Sequence, residues 1–167
     1  AGWAFTAGGV DVTDYYLERI NPADNGQYQV EEGWKYFDVM QEIILVKGRH
    51  PDTLQVKVGR HGPVLTQNDS THLATCIYWA GFDCSIARAV ASGFDLMQVS
   101  EFDSFRTTIT NFGALNANWI YADAKGNIGY QLGTPIPVRR YDRRMAQLPG
   151  WDTTYSWQGY YPLTQTP

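Results

Sequence analysis

The sequence predicts an α+β fold in which antiparallel strands and hairpins form a sheet and one or two helices pack on it. The clearest sign is the stretch 118–130, NWIYADAKGNIGY, where two β-forming runs flank turn residues around Ala124 to Gly126. A second sign is the helical spacing of apolar residues between Ser100 and Gly113. A third is the series of short strand-like stretches before residue 80. Strands followed by helices and a further hairpin favour a mixed fold over a simple strand sandwich.

Length and composition favour a single globular domain over residues 1–167. Of the 167 residues 44% are hydrophobic and six are Trp, which is enough to bury a core. The net charge of −4 gives no electrostatic reason to expect nucleic acid or an anionic membrane as a partner. No apolar run approaches the ~20 residues of a membrane-spanning helix. We therefore expect neither a nucleic-acid partner nor a membrane span.

The chain before residue 80 is predicted to form strands separated by turns. Gly8 and Gly9 break the first of these strands, because glycine favours turns. The apolar run Ile43 to Val46 predicts burial on both faces of its strand. The predicted strands are Trp3 to Ala7, Tyr15 to Ile20, Asp38 to Lys47, Leu54 to Gly59 and Leu73 to Trp79, with a hairpin over Tyr28 to Phe37 that turns at residues 31–33.

Two helices are predicted next. The first runs from Cys84 to Ser92 and is ended by Gly93. In the second, Ser100 is the expected N-cap and Gly113 the expected stop. Its apolar residues lie on one helix face, which we expect to pack as core on the sheet that holds the 118–130 hairpin. These apolar residues are Phe102, Phe105, Ile109 and Phe112.

The chain after Leu132 contains several prolines that interrupt regular structure. It is predicted to wrap over the rest of the fold without forming a layer of its own. Its basic run is expected to lie in a solvated loop with local carboxylate partners; it consists of Arg139, Arg140, Arg143 and Arg144. Cys76 and Cys84 fit a disulfide or two small buried residues equally well. Because the chain opens without Met in strand-like sequence and ends abruptly, we expect a piece of a longer polypeptide.

Taken alone, the residues offer no complete catalytic set, but the segment Ala7-Gly8-Gly9 fits one catalytic element. Small residues at a strand end let a ligand approach backbone N–H groups, which is what an oxyanion hole requires. An ordinary glycine turn explains the same residues. The three His residues are scattered, and His61, in the bend RHGP, is expected to make a structural hydrogen bond.

The segment Asp11-x-Thr13-Asp14, which follows directly, fits a cation site. Two carboxylates and a carbonyl within four residues supply the hard oxygen ligands that calcium takes. A solvated acidic turn explains the same pattern. The residues alone do not decide between the two.

Several stretches, in this order along the chain, resemble the penicillin acylase family of N-terminal-nucleophile (Ntn) hydrolases, in an internal part of the large (β) chain. The resemblance covers almost the whole sequence, although no one stretch is decisive. The stretches are GWAFTAGGVDVTDYYLERINP at 2–22, RHGPVL at 60–65, WAGFD at 79–83, NWIYADAKGNIGY at 118–130, LPGWD at 148–152 and WQGYYPL at 157–163.

The resemblance implies a partial domain of a four-layer αββα sandwich with β-ribbon excursions. It also implies acyl transfer to an N-terminal Ser that lies upstream of residue 1, followed by hydrolysis. The backbone N–H of Ala7 would donate to the oxyanion, and a second donor, an Asn side chain, would lie beyond Pro167. Asn118 is then structural. An isolated chain with one oxyanion donor and no nucleophile should be inactive.

The resemblance also assigns a metal site and an acyl pocket. A structural calcium ion, which some family members bind, would take Asp11, Asp14 and the carbonyl of Thr13, with a further carbonyl from the loop at Arg143. The acyl pocket would be lined by Phe5, Gly9 and Ala117, and no organic cofactor is expected.

The leading hypothesis is therefore a fragment of an amide-hydrolysing acylase that works with an α chain and the rest of the β chain on a small-molecule acyl amide. Since family members are exported, we expect a periplasmic or extracellular protein. The alternative is a secreted, aromatic-rich β module that binds carbohydrate or a protein partner, since 14% of the residues are aromatic. A third interpretation is a partner-binding fragment without activity.

Overall fold

The structure is a computed structural model that describes residues 1–113, 115–141, 146–163 and 166. Its mixture of mainly antiparallel strands and two helices in these residues confirms the predicted α+β class. The strands and helices are β1 (Gly2–Ala7), β2 (Thr13–Asn21), β3 (Asp24–Val30), β4 (Gly33–Tyr36), β5 (Asp38–Ile44), β6 (Asp52–Gly59), β7 (Gly62–Asn68), β8 (Leu73–Trp79), α1 (Ile86–Leu96), α2 (Phe102–Thr110), β9 (Ala117–Ala122), β10 (Ile128–Leu132) and β11 (Leu148–Pro149).

The chain divides into two compact units. The helix unit consists of Ala1–Val12, Trp79–Val138 and Trp157–Pro167, and the strand unit consists of Thr13–Tyr78 and Arg139–Ser156. The single partial domain expected from the sequence stays a prediction.

The sheet of the helix unit has the order β1-β9-β10, and both pairings are antiparallel. The hairpin from β9 to β10 turns where the sequence predicts. Its loop is closed by the N–H of Asp123, which donates to the carbonyl of Asn127 at 3.0 Å. Gly126 has φ of +89°, a left-handed conformation that favours glycine, so the residue types of the loop match its geometry.

Helix α2 packs its apolar face on this sheet, as predicted. Phe105 and Ile109 are fully buried and contact Trp119 and Tyr121 of β9 within one core cluster. The fit is close at Gly129 of β10, where an added Cβ atom would lie only 2.0 Å from the ring of Phe102. The aromatic face of the helix therefore requires a glycine in the strand beneath it.

Two details of the predicted helices are wrong. Helix α1 continues through Gly93 to Leu96, whose side chain is buried in the core cluster. Burying a Leu side chain contributes about 2 kcal/mol, more than the ~1 kcal/mol cost of a helical glycine, which explains the extra turn. Helix α2 begins at Phe102 with Glu101, not Ser100, at its N-cap, and no side chain caps it.

In the strand unit, eight strands of the described residues form one sheet in the order β4-β3-β2-β8-β7-β6-β5, with β11 pairing parallel to β2. Strand β2 is central, and alternate residues Tyr16, Glu18 and Ile20 are fully buried. This period of two is that of a strand with one covered face. The hairpin from β3 to β4 turns at the predicted glutamates.

A buried polar pair lies against β2. The Nδ1 atom of His61 is 2.7 Å from Glu18 Oε1, and its Nε2 atom is 3.3 Å from the hydroxyl of Ser156. The imidazole stacks on the ring of Tyr16 with centroids 3.7 Å apart. An added Cβ at Gly150 would lie 2.3 Å from Glu18 Oε1, so glycine is required there. His61 thus makes the structural hydrogen bond predicted for it.

Strand β5 contradicts the burial predicted for Ile43 to Val46. Every residue of β5 is exposed, and the side chain of Ile43 is 63% exposed. The strand is last in the sheet order, and within the described residues β6 is its one neighbour in that sheet. No other layer of the described residues in this unit buries it, so the apolar run stays exposed.

A tyrosine cluster surrounds the start of β2. Tyr141 and Tyr155 pack against Tyr16, and the hydroxyl of Tyr141 donates to Asp14 Oδ2 at 2.5 Å. Burial, with the neighbouring Asp14 carboxylate, raises the pKa of Tyr141 from 10.0 to about 12. Tyr141 therefore stays protonated in the fold at a pH where it ionises in the unfolded chain.

Both cysteines are free thiols, so the disulfide alternative is not realised in this structure. Burial raises the pKa of Cys76 to about 12, as expected for a small buried residue. Neither described helix is long and apolar enough to cross a membrane.

We expect Gly129→Ala to destabilise the intact protein by about 2 kcal/mol, because the new methyl group overlaps the packed Phe102 ring. Denaturant unfolding measures the change. Gly2→Ala is the matched control, since nothing lies within 4 Å of its added Cβ, and it should change stability by less than about 0.5 kcal/mol. Equal stability of the two variants would contradict the packing described.

We expect the intact protein to lose stability as pH rises through the window from 10.0 to about 12, because the folded-state pKa of Tyr141 lies above its unfolded value. The contribution is complete below the lower pKa. Melting temperature measured against pH should fall less steeply in this window for Tyr141→Phe, which cannot ionise. Identical slopes for wild type and variant would argue against a buried phenol.

Candidate active site

The backbone N–H of Ala7 points out of the open edge of the sheet. The next residue, Gly8, donates its N–H to the carbonyl of Asn116 at 2.8 Å, on the β9 side. Antiparallel residues alternate between bonding their partner strand and pointing away from it. Ala7, opposite Ala117, is one of the residues whose backbone groups point away from the partner strand. Because β1 ends the sheet order in the described residues, the N–H of Ala7 faces an edge without a further strand.

The bonds of Ala117 support this assignment. Its N–H donates to the Thr134 hydroxyl at 3.2 Å, and its carbonyl accepts from Gly133 N–H at 3.0 Å. Both groups therefore face the β10 side, away from Ala7. The pair Ala7 and Ala117 is thus of the type that does not share backbone hydrogen bonds.

The turn after Ala7 is held by the side chain of Asn116. Its Oδ1 atom accepts from Val10 N–H at 3.3 Å, and its Nδ2 atom donates to Val10 carbonyl at 2.8 Å. An added Cβ at Gly8 would lie 2.3 Å from Asn116 Oδ1, and Gly9 has φ of +64°. The Asn116 side chain therefore requires glycine at position 8, and the left-handed backbone favours glycine at position 9. The sequence gives no signal for the role of Asn116, which lies 106 residues from Val10.

Asn118 fixes the other backbone group of Ala7. Its Nδ2 atom donates to the Ala7 carbonyl at 3.1 Å, and its Oδ1 atom accepts from the Tyr130 hydroxyl at 2.6 Å. The first hydrogen bond orients the peptide group that follows Ala7, and the second holds the Asn118 side chain in place. Asn118 therefore makes structural contacts in this chain, in line with the role expected from the sequence.

The structure brings three of the predicted site residues onto one face of the sheet. Phe5 and Ala7 of β1 and Ala117 of β9 share the face that carries Trp119, because alternate residues point the same way. Phe5 is 52% exposed, and the centroid of its ring lies 4.8 Å from that of Trp119. Ala117 is buried in the helix-facing core, which leaves little of its side chain to touch a ligand. Gly9 lies beyond the strand, in the turn.

An apolar groove of the helix unit lies on the opposite face of the same sheet. It encloses about 750 Å³, and its lining is apolar, including Ala4, Ile120 and Tyr130. None of Phe5, Ala7, Gly9 and Ala117 lines it. The groove is thus a broad apolar face separate from the predicted acyl site.

Asp14, the predicted calcium ligand of the strand unit, is bound by an arginine. The Nε atom of Arg139 donates to Asp14 Oδ2 at 2.7 Å, and the same oxygen accepts from Tyr141. The side chain of Arg139 is 0% exposed and that of Asp14 is 15% exposed. The solvated loop predicted for the basic run is therefore wrong for Arg139, whose partner is 125 residues away.

This arrangement does not fit a calcium ion at Asp14. Calcium takes six to eight oxygen ligands, and a like charge at about 4 Å costs about 4 kcal/mol per unit charge near a protein surface. The guanidinium supplies that like charge. The described residues contain no cluster of three or more His, Cys, Asp or Glu side chains able to hold a metal. Asp11 belongs to the other unit, and Arg143 lies outside the described residues.

Comparison with known proteins places these observations in a family. The chain is 28% identical to acyl-homoserine lactone acylase QuiP of Pseudomonas fluorescens Pf-5 over 99% of the chain and 21% of that protein. It is 29% identical to penicillin G acylase of Escherichia coli over 99% of the chain and 19% of that protein. The chain thus spans about a fifth of the length of these relatives.

The fold is also found in a solved structure, the thermostable penicillin G acylase of Alcaligenes faecalis. The TM-score is 0.86 at 26% identity, and the match covers 99% of this chain and 30% of that one. This confirms that the α+β fold is part of the Ntn-hydrolase sandwich. A family model described as penicillin amidase matches residues 1–167. The chain belongs to the penicillin amidase family.

Proposed function

We propose that this chain is part of an amide-hydrolysing acylase and supplies one donor of its oxyanion hole, the backbone N–H of Ala7. The observation that supports the proposal is the direction of this N–H, which points out of the open edge of β1. A backbone donor on a paired strand is preorganised, so it needs no rearrangement when charge develops on the substrate.

The proposed reaction begins on a segment outside this chain. There the hydroxyl of an N-terminal Ser adds to the amide carbonyl while its own α-amine takes the proton. The carbonyl oxygen becomes an oxyanion and accepts from Ala7 N–H and from an Asn side chain, also outside this chain. The C–N bond then breaks, and the proton passes to the leaving amine. Water hydrolyses the acyl ester, releasing the acid and restoring the Ser.

The chain's own contribution is to hold Ala7 still. Asn118 binds the carbonyl of Ala7, and Asn116 clamps the turn that follows. Since a misplaced donor loses most of its effect on the transition state, these two side chains act as positioning residues. Neither is proposed to touch the substrate.

We propose a linear amide of a small molecule as substrate, with its acyl group against Phe5. The half-exposed ring shares a face with Ala7 and lies two residues away, so an acyl group attached to the reacting carbonyl can contact it. The relatives are named for penicillin G and for acyl-homoserine lactones, which are both acyl amides. Their acyl groups differ, so the preferred acyl group of this protein is identified by measuring hydrolysis of amides with different acyl groups.

The partners in this proposal are the remaining acylase segments, an α chain and the rest of the β chain. Two apolar surfaces of the helix unit support the need for them. One is the groove that includes Ile120, and the other is a stripe along α1. Exposed apolar faces of this kind mark contact surfaces. The stripe consists of Ile86, Val90, Phe94 and Met97. The isolated chain would be inactive, because its nucleophile lies elsewhere.

We further propose that the intact protein acts outside the cytoplasm, on the strength of the family resemblance. The alternative of a secreted carbohydrate-binding module is not favoured, because the family model and the solved acylase structure match almost the whole chain.

We expect Ala7→Pro to lower kcat of the intact protein about 100- to 1,000-fold, the usual cost of losing one oxyanion donor. Proline removes the N–H, and at an edge strand whose N–H faces outward it removes no ladder hydrogen bond. The measurement is steady-state hydrolysis of an acyl amide.

Ala7→Gly is the control for this test, since it keeps the N–H and should keep most of the activity. Thermal unfolding of both variants separates a lost donor from a lost fold. A folded Ala7→Pro variant with wild-type kcat would overturn the proposed role of Ala7.

We expect Phe5→Ala in the intact protein to raise kcat/KM for longer relative to shorter acyl chains about tenfold, because removing the ring opens space for additional methylene groups. A series of amides that differ only in acyl length measures the ratio. Trp3→Ala is the matched control, since Trp3 lies on the same face but two residues further from Ala7. An unchanged ratio for Phe5→Ala, or an equal shift for Trp3→Ala, would contradict an acyl group at Phe5.

A further inference from the structure

The ion pair of Asp14 and Arg139 lies where the family resemblance leads one to expect a cation. Asp14 is the second residue of β2, and Arg139 opens the other segment of the strand unit. The two charges meet at an N–O distance of 2.7 Å with the guanidinium fully buried. A buried arginine is retained only where a carboxylate or similar group compensates its charge.

The geometry leaves Asp14 already neutralised. Its Oδ2 atom receives one charge-assisted hydrogen bond from Arg139 and one from the Tyr141 hydroxyl at 2.5 Å. Within the described residues, the guanidinium balances the charge of this carboxylate without a metal. A divalent cation at the same carboxylate would have to displace or approach a fixed guanidinium, and each is unfavourable.

We propose that Arg139 takes the place of a metal ion at Asp14, so that the guanidinium, and not calcium, joins residues 139–141 to strand β2. The stability of this part of the protein is then independent of calcium. The inference concerns the metal chemistry of the strand unit and does not depend on the acylase activity.

Replacing Arg139 by lysine tests the ion pair. Arg139→Lys in the intact protein keeps a positive charge but loses the planar fork and its Nε donor, so the ratio of folded to unfolded protein should fall about tenfold. Arg140→Lys is the matched control, because Arg140 is the adjacent, exposed arginine. The proposal is overturned if Arg139→Lys is as stable as Arg140→Lys.

A second test asks directly for a metal at Asp14. The intact protein is stripped with EDTA, and terbium, a luminescent calcium substitute, is added to wild type and to Tyr141→Phe. A lanthanide at Asp14 would be sensitised by the phenol that touches this carboxylate. We expect equal luminescence from the two proteins, with any signal arising from other sites. A signal that falls in Tyr141→Phe and is displaced by calcium would overturn the proposal.

The melting temperature gives an independent readout. Wild type stripped with EDTA should melt at the same temperature with and without added calcium, or show a calcium response that Asp14→Asn retains, which would place the ion elsewhere. A calcium-dependent rise in wild type that Asp14→Asn abolishes would overturn the proposal. If Asp14→Asn does not fold, the terbium comparison decides.

Discussion

The antiparallel pairing of β1 with β9 is the interaction on which the candidate site depends. It fixes the direction of each N–H along β1, so that the peptides of Thr6 and Gly8 bond inward and that of Ala7 faces the open edge. Helix α2 stabilises this pairing, because it packs on Trp119 and Tyr121 of β9. The aromatic face of α2 therefore holds β9 in place. The pairing with β9 then sets the direction of the Ala7 N–H.

The two units of the chain use different means to hold distant segments. In the helix unit apolar burial predominates, with Asn116 adding hydrogen bonds across 106 residues. In the strand unit polar side chains are buried in pairs, the hydrogen-bonded pair of Glu18 and His61 and the ion pair of Asp14 and Arg139. An ion pair of this kind tolerates little change in the position of its two side chains, because a buried charge without its partner costs several kcal/mol. Both pairs specify where the segment that contains Gly150 must lie.

The local sequence is sufficient to predict the hairpin around Gly126 and helix α2, because turn residues and helical spacing act over a few residues. It fails where the decisive contact is distant. The sequence places Arg139 in a solvated basic run and contains no signal for Asn116, because the partners of both residues are more than a hundred residues away. The prediction for the apolar run at Ile43 is wrong for another reason. Hydrophobicity favours burial of a strand, but within the described residues of the strand unit no layer covers this one. For the candidate site, the residues alone do not decide whether Ala7 begins an ordinary glycine turn or serves as an oxyanion donor, and the family resemblance favours the donor.

In the proposed mechanism, neighbouring residues of strand β1 serve two functions, catalysis and selection of the acyl group. There, the chemistry uses a main-chain group of Ala7, whereas selection of the acyl group uses the side chain of Phe5. Main-chain groups are common to nearly all amino acids, so side chains on this strand can change during evolution without loss of the donor. A family built in this way can diversify its substrates by point substitutions next to the reacting carbonyl while its catalytic power is inherited intact.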